Sequence, residues 1–347
     1  NYEGFSYDGS GNVVPDSGCG SWLFEPQSTN LIAYSENLSN MQIAFGGAIS
    51  LDSSFMNPSG QNGSYFIYDT DGGAQARFRV SNSGFALGDK LSYSVFLKSD
   101  SSSSITIGGN YGGENCTFNV GTKTLISQGA SVDSYEIINF TNGWTRYVVN
   151  TTFTNTVPGN AYPFFTTNAT LSEKIYVWGH QLEQQSYATS YIPTSGSTVT
   201  RNQDVCTNGG SLASINSTEG VLYAEIAALA DGGVRMISIS DGSISNQVSF
   251  EYSVITNLIR VRLISQGVEQ SFYQSTSYDY LQYHKIAISY KLNNFKIYID
   301  GTEIYTDTSS IMPIGLNKLS FANGNNSSLF FGKTKAVAVW KEALSDA

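Results

Sequence analysis

The chain has two histidines, His180 and His284. Neither stands in a recognisable motif with a serine or cysteine, and no Gly-x-Ser-x-Gly elbow occurs. A structural role is the plainer reading of both. Glycosidic-bond cleavage would ask for paired carboxylates, alternating along a strand so that both reach one face. Asp69 and Asp71 have that spacing, but Gly72-Gly73 marks a turn there, while Glu225 and Glu251 stand singly on strands. Ligand binding asks for less: a ring that can stack, with amides, carboxylates or guanidiniums beside it. Two loops carry such sets, Asn110, Tyr111 and Glu114 in one, and Tyr278, Asp279 and Tyr280 in the other. A packed loop tyrosine is the alternative for Tyr111. Trp144, Trp178 and Trp340 fall in strand patterns and are expected in cores. Calcium is a candidate ligand for loop oxygens of Asp231, Asp241 and Asp307, although no EF-hand spacing supports it. No other cofactor is expected.

The elements that must position these residues are read from composition and periodicity. The 347 residues favour two domains. Charged residues are 13% of the chain, about half the usual share, so Ser, Thr, Asn and Gly dominate a polar, uncharged surface. A net charge of −10 argues against nucleic acid or an anionic membrane as partner, since both call for a basic face. No run of 18 apolar residues that could span a membrane is present. Cys19, Cys116 and Cys206 are odd in number and widely spaced, which fits neither a zinc site nor a disulfide framework. A start at Asn1 and an end at Leu344-Ser345-Asp346-Ala347, inside an expected helical turn, suggest an excerpt of a longer chain.

Along the chain, short strands and turn signals alternate throughout. Residues 1–30, rich in glycine, read as an extended arm that lies on a neighbouring chain or domain. Residues 31–205 read as a first β-sandwich. In it Leu91, Tyr93, Val95 and Leu97 share one face. In the strand near its end, Ile175, Val177 and Gly179 should oppose Tyr176, Trp178 and His180, with Trp178 buried. Tyr191-Ile192-Pro193 is expected to run extended across the domain junction. After Arg201 the texture changes, and residues 206–347 read as a second sandwich. There Ile259, Val261 and Leu263 should face inward, Arg260 and Arg262 outward, and Asp300-Gly301 should turn a hairpin. The expected fold class is therefore all-β, two antiparallel β-sandwich (jelly-roll) domains in tandem.

Three stretches of the first domain carry a family resemblance. Phe24-Glu25-Pro26-Gln27-Ser28-Thr29-Asn30-Leu31-Ile32 with Tyr34-Ser35-Glu36 resembles the opening motif of phage tail-fibre and virion appendage proteins. Gly143-Trp144 with Arg146-Tyr147 resembles an internal motif. Trp178-Gly179, Gln181-Leu182-Glu183 and Ala188-Thr189-Ser190-Tyr191-Ile192-Pro193-Thr194 resemble the closing one. Together they span roughly residues 20–205, and the resemblance implies a carbohydrate-binding-module-like sandwich. In the second domain, the strand Lys285 to Tyr290, the Asp300-Gly301 hairpin and the last strand, Ala336 to Trp340, resemble a laminin-G or concanavalin-A-like jelly roll.

The resemblance implies a non-enzymatic structural protein of a virion appendage, a tail fibre or tailspike, working extracellularly in host attachment. Its expected partners are other virion proteins, a host surface glycan and further copies of itself, as a trimer. A bacterial surface polysaccharide-binding module is a second reading, and a polysaccharide-degrading enzyme a third. Presence in purified virions separates the first two; release of reducing or unsaturated sugar ends marks the third.

Overall fold

In a computed structural model the regular structure of the protein is almost wholly β-strand, and every strand pairing among the described residues is antiparallel. The structure describes residues 2–3, 5–7, 13–15, 21–72, 75–99, 101, 103–110, 112–140, 142–154, 159–167, 169 and 173–344, with backbone alone at 2–15 and 159–160. Cys19, Tyr111 and the chain end at 345–347 lie outside them. The helical turn expected after the last strand is absent over 341–344. No helix among the described residues is long and apolar enough to cross a membrane.

The chain forms two compact units, residues 27–202 and residues 1–26 with 203–347. In the first, two six-stranded sheets face each other. One is centred on Lys90–Lys98 and Ile175–Glu183, the other on Ser104–Gly108 and Phe164–Thr167. Period-two alternation sends Leu91, Tyr93, Val95 and Leu97 inward against Phe78, Ile105, Ile107, Phe118 and Phe165 of the opposite sheet. Cys116 is part of this core.

The other face of the first sheet is not left to water. Ser92 and Ser94 are fully buried, and Phe96, Trp144 and Trp178 form a separate small core there with Tyr191 packed on it. The Tyr191 ring lies 4.6 Å from that of Trp178 and 5.8 Å from that of Phe96. Tyr191 and the buried Ile192 thus finish the first domain itself, where the sequence suggested a strap across the junction.

A correction also falls inside the Ile175–Glu183 strand. Gly179 takes φ +61° and the pairing with Lys90–Lys98 shifts register there, as in a G1 bulge. The extra residue reverses the alternation beyond it. Tyr176 and Trp178 keep the outer face, but His180 points into the core with Leu182. A strictly alternating strand would have put His180 beside Trp178.

In the second unit, a seven-stranded sheet packs on a five-stranded one around Leu222, Ile226, Ile237, Phe250, Val261, Ile288 and Ile297. Arg260 and Arg262 face outward, and Asp300-Gly301 turns the hairpin with both φ values positive, as a type I′ turn requires. The arm expected over 1–30 gives way here. Ser21–Phe24 pairs with Gly332–Trp340 in the large sheet, and Ser28–Asn30 pairs with Val199–Arg201 in the first domain. Trp340, expected in the core, is 40% exposed, because it ends an outer row of the last strand.

Candidate functional site

The solvent face of the second six-stranded sheet in residues 27–202 is the best-formed candidate site. Its strands pack Phe78, Ile107, Phe118 and Phe165 inward, so their alternate residues must project outward. Antiparallel register lines these up in two rows. Thr117, Thr106, Thr166, Arg77 and Phe45 make one; Asn115, Gly108, Phe164, Arg79 and Gln42 make the next. A cavity of about 330 Å³ opens on this face, lined by Gln75, Arg77, Thr106, Gly112, Asn115, Thr117, Phe164 and Thr166.

The groups on the face are fixed by one another. The Thr106 and Thr117 hydroxyls lie 2.8 Å apart. Arg77 Nε donates to Thr166 Oγ1 at 3.3 Å and Nη2 to Gln75 Oε1 at 3.1 Å. Its guanidinium sits 5.0 Å from the Phe45 ring and 5.8 Å from the Phe164 ring, within cation–π range. Arg79 Nε donates to Gln42 Oε1 at 2.7 Å, and its guanidinium lies 5.2 Å from the Tyr162 ring. Phe45 is 55% exposed, so an apolar ring face remains open at the end of the first row. Hydroxyls, amides, guanidiniums and a ring on one face suit a polyhydroxylated ligand. Among the described residues, no carboxylate lines this cavity.

The loop singled out in the sequence borders this cavity through Gly112, yet the residues named there are not on its surface. Asn110 and Glu114 are buried, and Tyr111 lies outside the described residues. Glu114 Oε1 accepts from the Thr154 amide at 2.7 Å and its hydroxyl at 2.8 Å. Burial raises its pKa above the usual carboxylate value. Glu114 is therefore an internal strut of the loop, and neither it nor Asn110 is offered to a ligand. The reason is geometric: the loop folds back so closely that a Cβ at Gly108 would lie 2.4 Å from the Glu114 carbonyl oxygen.

The second predicted loop is corrected in the same way. Tyr280 is fully buried, its ring 4.9 Å from that of Tyr252, and its hydroxyl accepts from the Gly232 amide. Tyr278 is half-buried, edge-on to His284 at 5.5 Å. Only Asp279 is exposed, and its Oδ1 accepts from the Leu281 amide within the turn. His284 is held by Asp300 at 2.7 Å and donates from Nε2 to the Asp279 carbonyl.

A second cavity, of about 450 Å³, lies on the outer face of the five-stranded sheet, with Met236, Gln247, Glu251, Arg262, Ile264 and Glu269 among its lining. Each of its carboxylates faces an arginine. Glu251 Oε1 is 2.9 Å from Arg260 Nη1, and Glu269 Oε2 is 3.9 Å from Arg262 Nε.

The acids considered for calcium sit in separate segments, and each has protein partners of its own. Asp241 accepts from the Ser243 amide and hydroxyl, Asp307 from those of Ser309, and Asp231 from the Tyr280 hydroxyl. Among the described residues, no three His, Cys, Asp or Glu side chains converge.

Sequence reasoning missed the outer face because its threonines and asparagine look like ordinary solvated positions. Two signals were available. Arg77-Phe78-Arg79 places two of the four arginines between residues 27 and 202 on one strand face, and Phe164-Phe165 puts an aromatic on each face of one strand.

No protein-family model matches this chain, and no curated protein matches it. Among solved structures it is similar to the mouse laminin alpha1 chain, domains LG4-5, at 10% identity and a TM-score of 0.28; the match covers 76% of this chain and 87% of that one.

Proposed function

We propose that this protein is a non-enzymatic attachment module that binds glycan on the outer face bearing Arg77, Thr106, Asn115 and Thr117. The observation that carries the reading is the cavity of about 330 Å³ whose lining joins hydroxyls, amides and a guanidinium, with no carboxylate among the described residues. Glycosidic cleavage by a pair of acids has no candidate there. We propose a virion appendage as the setting, with a host surface glycan and other virion proteins as partners. Its support is the resemblance carried by residues 24–36, 143–147 and 178–194. A trimer would present several copies of a weak site, and avidity would then strengthen attachment.

One observation favours the enzymatic reading enough to name it: Glu251 and Glu269 line one cavity of the second domain. Against it, both carboxylates are engaged by arginines. Two measurements decide between the readings. Glycan-array binding should be lost on changing Arg77 and Thr117 together to alanine, with melting unchanged. Incubation with capsular and exopolysaccharides should leave their size distribution unaltered. Depolymerisation abolished by Glu251→Gln would overturn the proposal, as would array binding indifferent to the double change.

A further inference from the structure

We infer that the ligand of this face is an anionic glycan, bearing carboxylate or sulfate groups that Arg79 receives; the inference rests on the glycan-binding reading above. Arg77 and Arg79 alternate on one strand, so both guanidiniums project from the same side of the sheet. The two groups that hold Arg79 are neutral. Its Nε donates to an amide oxygen, that of Gln42, and its guanidinium lies against the Tyr162 ring. An amide and a ring face orient a guanidinium without cancelling its charge, whereas a carboxylate would do both. Arg79 is half-buried, so it is screened less than a fully exposed cation.

The local charge runs against the whole. The chain carries −10, and such a protein repels anions at long range. A guanidinium kept without a carboxylate partner among the described residues, in that setting, is suited to a ligand that brings the carboxylate itself. The neighbouring arginine is less available. Phe45, cross-strand from Arg77, is followed by Gly46, where a Cβ would lie 2.1 Å from Asp71 Oδ2, so an acid stands at that end of the row. The planar fork of Arg79 matches two oxygens of a carboxylate or sulfate. Phe164 stands between Arg79 and Gly108 in the same row, and the threonine row beside it offers hydroxyls to the rest of the sugar.

The test is calorimetric titration of the whole chain with size-matched neutral, uronate and sulfated oligosaccharides. A charge-assisted hydrogen bond contributes about 1.5–3 kcal/mol, so the anionic ligands should bind roughly 10- to 100-fold more tightly than the neutral one. That preference should shrink as salt rises from about 50 to about 500 mM. Arg79→Gln should abolish the preference by weakening the anionic ligands far more than the neutral one, while Arg79→Lys should keep part of it. Circular dichroism melts confirm that both variants fold. If neutral and anionic sugars bind alike and Arg79→Gln changes neither, the inference fails and the glycan reading stands. If no oligosaccharide binds, both fail. Equal binding of a non-saccharide polyanion would make the face a general anion site and overturn its assignment to glycan.

Discussion

The Ser28 hydroxyl donates to Glu183 Oε1 at 2.5 Å, joining the first strand of residues 27–202 to the end of the Ile175–Glu183 strand. The same carboxylate accepts from the Thr189 amide at 3.0 Å and hydroxyl at 2.5 Å, and from Gln185 at 3.2 Å. Glu183 is fully buried, so these donors replace the water it has lost. Asn30 repeats the device two residues on: its Oδ1 accepts from the Ile32 and Leu182 amides, and its Nδ2 donates to the Ile192 carbonyl. Gln181 Oε1 accepts from the Ile192 amide, and Ser35 Oγ donates 2.6 Å to or accepts from the Tyr191 hydroxyl. The opening and closing stretches noted in the sequence thus meet as one polar clasp.

Glu183→Ala should destabilise residues 27–202 by about 3 kcal/mol, since it strands several buried donors at about 1–3 kcal/mol apiece with partial relaxation. Ser28→Ala removes one donor and should cost about 1 kcal/mol. Denaturation followed by tryptophan fluorescence in a Trp22→Phe, Trp340→Phe background reads Trp144 and Trp178 alone. An unmoved transition in Glu183→Ala would show that the clasp does not hold the domain.

His180 gives that domain a pH dependence. It donates from Nε2 to the Tyr34 carbonyl at 3.1 Å, and burial lowers its pKa from 6.5 to about 4. Between those values the unfolded chain binds the proton and the folded one does not, so stability rises with pH. The contribution is fully present above about 6.5 and lost progressively as pH falls toward about 4, amounting to roughly 3 kcal/mol. Glu114 works the other way, its raised carboxyl losing stabilisation as pH rises. The comparison is therefore between His180→Gln and the parent chain. Urea midpoints at intervals from about pH 4 to about pH 7 should converge at the acid end; parallel curves would refute the assignment.

Much of the fold was legible because period-two patterning reports burial directly. Leu91 to Leu97 and Ile259 to Leu263 face as their alternation says. Patterning failed where one residue changes the period, as at Gly179, since a glycine in a strand fits a regular ladder as well as the bulge it can mark. It failed at Ser21–Phe24, whose partner Gly332–Trp340 lies some 300 residues away. The site was hidden for another reason. Loop aromatics drew attention to Tyr280 and Glu114, both internal, whereas the outer face is made by cross-strand register, which a single sequence does not display.

Gly179→Ala tests the bulge. A Cβ there would lie 3.1 Å from Phe96 Cδ2 and 3.2 Å from the Tyr191 ring. Left-handed backbone costs a non-glycine residue about 1–2 kcal/mol, and crowding of the outer aromatic core adds about 1 kcal/mol or more. A loss of about 2–4 kcal/mol is expected in the Trp144 and Trp178 transition. Gly179→Asn should lose less, because asparagine visits this region more readily. A neutral alanine variant would mean that the strand runs without a bulge.

Truncation separates two roles of the first 30 residues. A chain beginning at Leu31 lacks Ser28 and Asn30, and with them half of the clasp. It also lacks Ser21–Phe24, the strand paired with Gly332–Trp340, and Phe24, whose ring stacks 4.7 Å from that of Phe321. Both unfolding transitions should therefore fall, the first through lost hydrogen bonds and the second through an opened sheet edge and about 2–3 kcal/mol of aromatic burial. A chain beginning at Ser21 keeps both sets of contacts and should hold both transitions. Light scattering on the same pair reads assembly independently of stability. A drop in mass for the chain beginning at Ser21, with its melting intact, would assign residues 1–20 to contact between copies. Unchanged melting of the chain beginning at Leu31 would contradict the placement of Ser21–Phe24 in the second sheet and of Ser28 and Asn30 in the clasp.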